Sequence, residues 1–204
     1  RGFTRAMNRV YAVPEGRPAL VLQPTVLGLT ILALTTVVLI AMMLVLSGGV
    51  VKAIGDVAGL GDQTVLVWNI AKWPVMVALA AALIAVMYHA APNVRKPRFR
   101  VLTVGAVSTL VVASLATGGF FLYVANFGSY NATYGSLAGV VIFLLWIHLM
   151  NTVLILGAEI DAETMRIRQL GAGIHAERDL LLPPQSDAQI AKAPDQKAPR
   201  RLGP

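Results

Sequence analysis

VLTVGAVSTLVVASLATGGFFLYVANFGSYNATYGSLAGVVIFLLWIHLMNTVLILGA, residues Val101–Ala158, runs for 58 residues without one Asp, Glu, Lys or Arg. A soluble fold exposes too much of its chain to leave so long a stretch uncharged. One membrane-spanning helix needs about 20 apolar residues, so the stretch has room for two. Its middle, ANFGSYNATY at 125–134, is polar but neutral and divides it. The reading is a span over about 101–124, an uncharged loop, and a span over about 135–160. Working toward the N-terminus, a second charge-free stretch covers Pro18–Val51, 34 residues. Within it Thr25–Ser47 is continuously apolar. At 1.5 Å per residue it reaches roughly 34 Å, enough to cross a hydrocarbon core of about 30 Å. A fourth run, about 65–91, ends at Pro92. The expected fold is therefore all-α: a polytopic integral membrane protein with four transmembrane helices in this chain.

The composition agrees. Of 204 residues, 56% are hydrophobic and 13% charged, where a soluble domain carries about 25% charge. A soluble enzyme and a disordered chain are excluded as leading readings. The absence of cysteine removes thiol catalysis, thiolate metal sites and disulfides together. The net charge of +7 would suggest nucleic acid in a soluble protein, but basic residues also flank membrane spans on the cytoplasmic side. Four Lys or Arg precede the first span, one lies between the first two spans, four lie in Asn93–Arg100, none in 125–134 and seven after the last span. That alternation predicts cytoplasmic termini in a plasma membrane, with the bilayer as first partner and no nucleic acid.

The remaining segments fall into place around the spans. Residues 1–24 read as a basic flank with a short interfacial helix, because Phe3, Met7 and Val10 share one helical face. Pro24 suits the first turn of the helix that follows. Trp68 and Trp73 suit the interfacial belt, and Lys72 can snorkel beside them, with Asn69 near. The membrane domain covers 25–165, and 166–204 reads as a cytoplasmic tail. From about 183 the tail is rich in Pro, Gln, Lys and Ala and is expected to be disordered.

Three sets of residues are candidates for function. In the last span His148, Thr152 and Glu159 share a helical face with Asn151 beside it. Polar groups at this depth either line a substrate path or hydrogen-bond a neighbouring helix. In the neutral loop, Asn126, Ser129, Tyr130, Asn131, Thr133 and Tyr134 offer amide, hydroxyl and phenol groups to a ligand, or close a compact turn on themselves. Small residues recur at Gly105, Thr109, Ala113 and Thr117, and again at Gly135 and Gly139, as they do where membrane helices approach closely. Catalytic residues, a metal site and a cofactor are not expected. His89, His148 and His175 fall on separate segments without a ligand spacing, and Glu159, Asp161 and Glu163 read as boundary acids that pair with Arg166 or Arg168.

The segment YVANFGSYNATYGSLAGVVIFLLWIHLMNTVLILGAEIDAE, Tyr123–Glu163, resembles the YihY/virulence factor BrkB family. MNRVYAVPEGRP (Met7–Pro18) and YHAAPNVRKPRFR (Tyr88–Arg100) resemble two further family segments in the same order. The resemblance implies a bacterial inner-membrane protein with about six spans, of which this chain would lack the first one or two. It departs from the pattern at Val104, where Pro is frequent, and at His148, where Tyr is usual. The family carries a ribonuclease BN label and a serum-resistance label. The resemblance implies membership and neither activity. The functional expectation is a transporter or export component for a small or amphiphilic solute. The alternative is a non-transporting scaffold for envelope integrity, acting through helix packing with itself or other membrane proteins. Ribonuclease is the least favoured.

Overall fold

The computed structural model describes residues 1–46, 49–57, 62–95, 102–126, 136–176 and 180–190. They form α1 (Gly2–Val10), α2 (Ala19–Val45), α3 (Gly49–Val57), α4 (Asp62–Ala90), α5 (Val104–Asn126) and α6 (Ser136–Gly171). Four helices contain stretches long and apolar enough to cross a membrane: Ala19–Val45, Val65–Ala90, Val104–Ala125 and Leu137–Gly171. The chain is an all-α membrane protein.

Each spanning helix is apolar nearly all round, as a helix in lipid must be. Hydroxyls inside the spans return their protons to the helix. Thr25, Thr30 and Thr36 each donate at 2.8 Å to the carbonyl four residues earlier, so these three donors do not face hydrocarbon unpaired. α2 starts six residues before the apolar run, with Pro18 as its N-cap and Pro24 inside it rather than in its first turn. Its last turn is fastened at the other end, where the Trp68 indole N–H donates to Leu46 O at 2.7 Å. Lys72 is buried and donates to Asn69 Oδ1 at 3.3 Å.

The helices pack in the order α2, α4, α5, α6, with α1 against α6. The α5–α6 contact is the most extensive, and two glycines explain it. A Cβ on Gly105 would overlap Gly157 O and stand 2.6 Å from Asp161 Cβ. A Cβ on Gly157 would overlap Thr109 Oγ1 and stand 2.5 Å from the Tyr88 hydroxyl. With no side chain at either position, the two backbones touch.

The buried core sits at one end of the bundle rather than midway along the spanning helices. Met7, Tyr11, Tyr88, Ala91, Ala106 and Ala158 belong to it, all at the basic end of the bundle, where Arg9, Arg17, Arg95 and Arg166 lie. α1 therefore reads differently from an interfacial helix: Met7 is fully buried and packs on protein. α6 also outruns its apolar stretch. Glu163, Met165, Arg166 and Gln169 are good helix formers, so the helix continues to Gly171. Residues 183–190, expected to be disordered, lie against the core: Arg95 N–H donates to Pro183 O at 3.0 Å, and Gln185 N–H to Asn93 O at 3.0 Å.

Candidate functional site

The first feature is a polar knot at the basic end. After α1 the chain reverses at Ala12, which adopts a left-handed φ of 52°. The reversal leaves Tyr11 beneath α6 and brings Glu15 and Arg17 back toward α4. Arg17 is 3% exposed. Its guanidinium donates to Ala90 O at 3.2 Å and Ala91 O at 2.9 Å, the carbonyls of the last residue of α4 and of the one that follows it. A cation there also meets the negative end of the helix dipole. Arg17 holds Glu15 through two further bonds of 2.8 Å, and Asn8 Nδ2 donates to Glu15 at 2.8 Å. Burial pushes the Glu15 carboxyl up, but the bonds from Arg17 and Asn8 and the Arg17 charge outweigh it and hold the group below its ordinary range.

Asn93 ties the knot. It is fully buried, and its side chain donates to Pro14 O at 3.0 Å and Ser186 O at 2.8 Å while accepting from Ser186 N–H at 3.1 Å. Its own N–H donates to Asn8 Oδ1 at 2.7 Å. Gly16 O accepts from Gln189 N–H, and a Cβ on Gly16 would overlap Ser186 O, so only glycine allows this close approach.

Above the knot, the Tyr11 hydroxyl donates to Asp161 Oδ2 at 3.2 Å. Asp161 is 3% exposed. Burial first, then the Asp161 charge and hydrogen bond, push the Tyr11 phenol well above its ordinary value of 10.0. The Tyr88 hydroxyl lies 2.6 Å from Thr109 Oγ1 and 2.6 Å from Leu154 O. Thr109 Oγ1 in turn lies 2.8 Å from Gly105 O. Tyrosines from outside and inside the membrane region thus close the basic end of the α5–α6 seam.

The second feature is the polar face of α6. His148, Asn151, Thr152 and Glu159 are all exposed. Asn151 Nδ2 donates to Ile147 O and the Thr152 hydroxyl to His148 O, both at 3.0 Å, so these donors are satisfied within the helix. From His148 to Gly157 is nine residues, about two and a half turns. The polar face is therefore opposite the side that meets α5. Glu159 stands apart from the other three. It lines two grooves at the basic end, one with Ser108 and Thr164, the other with Arg9 and Arg166.

The remaining sequence candidates divide. Gly105 and Thr109 lie in the α5–α6 seam, and Thr117 Oγ1 reaches Met150 Sδ at 3.8 Å from the same face, with Ala113 half-buried between them. Gly139 lies open, with nothing within 4 Å of where a Cβ would stand. Asn126 ends α5, while Ser129, Tyr130, Asn131, Thr133, Tyr134 and Gly135 lie outside the described residues. Of the boundary acids, Glu163 binds Arg166 at 2.6 and 2.8 Å, but Asp161 turns inward to Tyr11. Among the described residues no three His, Asp or Glu side chains gather as a metal site.

Sequence reasoning missed the knot: Asn8, Tyr11, Glu15, Arg17, Tyr88, Asn93 and Asp161. One signal was present. Asp161 follows Gly157 by four residues, which places it on the small-residue face rather than with Glu159 and Glu163.

Comparison with known proteins places these features. The family model described as "Virulence factor BrkB" matches residues 1–179. The chain is 31% identical over 161 residues to the ribonuclease-like protein YfkH of Bacillus subtilis (strain 168), covering 78% of this chain and 58% of that protein. It is 33% identical over 162 residues to UPF0761 membrane protein azo3165 of Azoarcus sp. (strain BH72), covering 78% of this chain and 37% of that protein. A UPF0761 membrane protein of Chromohalobacter salexigens shares 42% identity over 76 residues, 37% of this chain and 18% of that protein. The chain thus spans less than two thirds of the length of these relatives. No solved structure matches it.

Proposed function

Since the chain belongs to the virulence factor BrkB family of membrane proteins, we propose that it forms part of a bacterial inner-membrane transporter or export component, with the solute path along the polar face of α6. The observation that carries this reading is the exposure of His148, Asn151 and Thr152 opposite the α5 contact. His148 stands about 16 Å along the span from Leu137, near the middle of a core about 30 Å thick. Polar side chains at that depth are costly against lipid and face protein or a water-filled cavity.

The internal bonds leave specific groups for a solute. With their donors turned to the backbone, Asn151 keeps its amide oxygen and Thr152 its hydroxyl lone pairs as acceptors. His148 adds an imidazole that can donate, accept or change charge near neutral pH. Such a surface suits an uncharged or amphiphilic solute better than a strong ion. Glu159 at the basic end would meet the solute at one mouth. By the distribution of Lys and Arg that mouth is cytoplasmic. No catalytic step belongs to this reading, and the ribonuclease-like name stays with the Bacillus relative. The small-residue stripe gives the scaffold reading little support, because Gly105 and Thr109 are used within the chain against Gly157.

The test uses the full-length protein in liposomes loaded with a panel of amphiphilic and small polar solutes. The wild type should conduct at least one of them. His148→Ala, Asn151→Ala and Glu159→Gln should each reduce its flux while helicity and thermal stability are kept. Flux that none of the three alters, or no flux from the wild type, refutes the path.

A further inference from the structure

We propose that the cleft between the first turns of α2 and the end of α4 binds the phosphodiester headgroup of an anionic phospholipid, with an acyl chain laid along α2. The cleft has a volume of about 490 Å³ and is lined by Arg17, Val21, Thr25, His89, Arg95 and Gln185. No carboxylate lines it among the described residues. Arg17 is fixed in its wall by four side-chain hydrogen bonds, which leave one of its five N–H donors for a ligand. Glu15 balances the Arg17 charge. Arg95 is exposed and forms no ion pair among the described residues. The cleft is therefore positive. The Arg95 guanidinium matches phosphate oxygens in shape and donor number, and the Gln185 amide adds a neutral donor.

The apolar half of the site distinguishes a lipid from a free anion. Val21 and Thr25 lie one turn apart on α2, and Gly28 and Leu32 continue their row into the membrane. Gly28 has nothing within 4 Å of where a Cβ would stand, which leaves a notch above Thr25. Leu20, at the foot of the same helix, is 88% exposed, and Leu27 and Ile31 are exposed beside the row. A headgroup in the cleft would place its glycerol at Thr25 and one acyl chain in the Gly28–Leu32 notch. Basic clefts between spanning helices at the headgroup level are where anionic lipids are held.

Native mass spectrometry of the full-length protein, purified in detergent and titrated with phosphatidylglycerol or phosphatidylcholine of the same acyl chains, tests this directly. The wild type should retain phosphatidylglycerol at least about fivefold more tightly, the value of roughly one basic charge at the surface. Arg95→Gln should lose about that factor. Gly28→Trp, which fills the notch and leaves every charge in place, should lose lipid as well. Arg168→Gln, remote from the cleft, should not change retention. Millimolar glycerol 3-phosphate should fail to displace the lipid. Equal retention of the two lipids overturns the proposal, as does wild-type retention by either Arg95→Gln or Gly28→Trp. Displacement by glycerol 3-phosphate would make this a site for a small soluble anion and equally overturn it.

Discussion

Gly157→Ala is the sharpest test of the packing. The added methyl would overlap Thr109 Oγ1 and stand 2.5 Å from the Tyr88 hydroxyl and 3.0 Å from Gly105 O. Thr109 and Tyr88 are already bonded to each other, and Gly105 O is backbone, so no rotamer change clears all three. Overpacking a tight contact costs about 1–3 kcal/mol. Separating Tyr88 from Thr109 or Leu154 adds about 1 kcal/mol. We expect a loss of about 3 kcal/mol, a melting temperature lowered by roughly 6–12 °C for a chain of this size. The assay is thermal unfolding of the detergent-purified protein, followed by circular dichroism. Gly139→Ala is the internal reference, because its methyl meets nothing and should change stability by no more than about 0.5 kcal/mol. In a Thr109→Ala background, part of the Gly157→Ala penalty should disappear, with a coupling of at least about 1 kcal/mol. Equal melting temperatures for Gly157→Ala and Gly139→Ala would refute the close α5–α6 seam.

Other expectations concern the knot. Arg17→Gln should cost about 3 kcal/mol, because it uncaps α4 and leaves Glu15 half-buried without its cation; a loss below about 0.5 kcal/mol in chemical denaturation would contradict the capping role. Asn93→Ala should free residues 183–190, read as faster cleavage there by a soluble protease, since three side-chain bonds to Pro14 and Ser186 vanish. Tyr11 has a folded phenol pKa raised above its ordinary 10.0, so the folded state holds the proton longer and stability falls as pH rises past about 10; Tyr11→Phe should flatten that alkaline decline, and an unchanged profile would argue against the Tyr11–Asp161 contact. Glu15 has the opposite sign: its lowered pKa adds stability above its ordinary 4.5, lost as pH falls below that, and Glu15→Gln should remove this acid limb.

The spans were readable because hydrophobic length is a local property. A run such as Thr25–Ser47 needs no partner to be recognised. Their ends were less readable. Hydropathy marks where lipid stops, whereas α6 continues to Gly171 because helix formers follow. The knot was hidden for a different reason. Asn93, Arg17 and Tyr11 look ordinary within their own segments: a loop amide, a flanking cation, an aromatic near the interface. They acquire their roles from partners far away in sequence, such as Asp161 for Tyr11 and Ser186 for Asn93. Asp161 was grouped with Glu159 and Glu163 by charge, and only the position of Gly157 separates it from them. Lys72 was expected to reach for water, but it is covered and bonded to its own helix neighbour Asn69. The polar face of α6 was legible as a pattern, because helical spacing alone puts His148 and Thr152 together.

The knot also sets an order of events during biosynthesis. Tyr11 waits for a residue 150 positions later, and Gly16 for one 170 positions later. At ribosomal speeds of about 5–20 residues per second, the N-terminal segment stands without these partners for roughly 8–34 s. Asn8, Glu15 and Arg17 meet their own partners sooner, once residues 90–93 are made, so it is the Tyr11 and Gly16 contacts that stay open while the later spans insert. Nascent chains arrested before and well after residue 161 should differ in how readily Tyr11 is reached by a soluble chemical probe, and equal labelling would exclude such an order. Asp161 and Ser186 would then be the later-made partners that lock Tyr11 and Gly16 down.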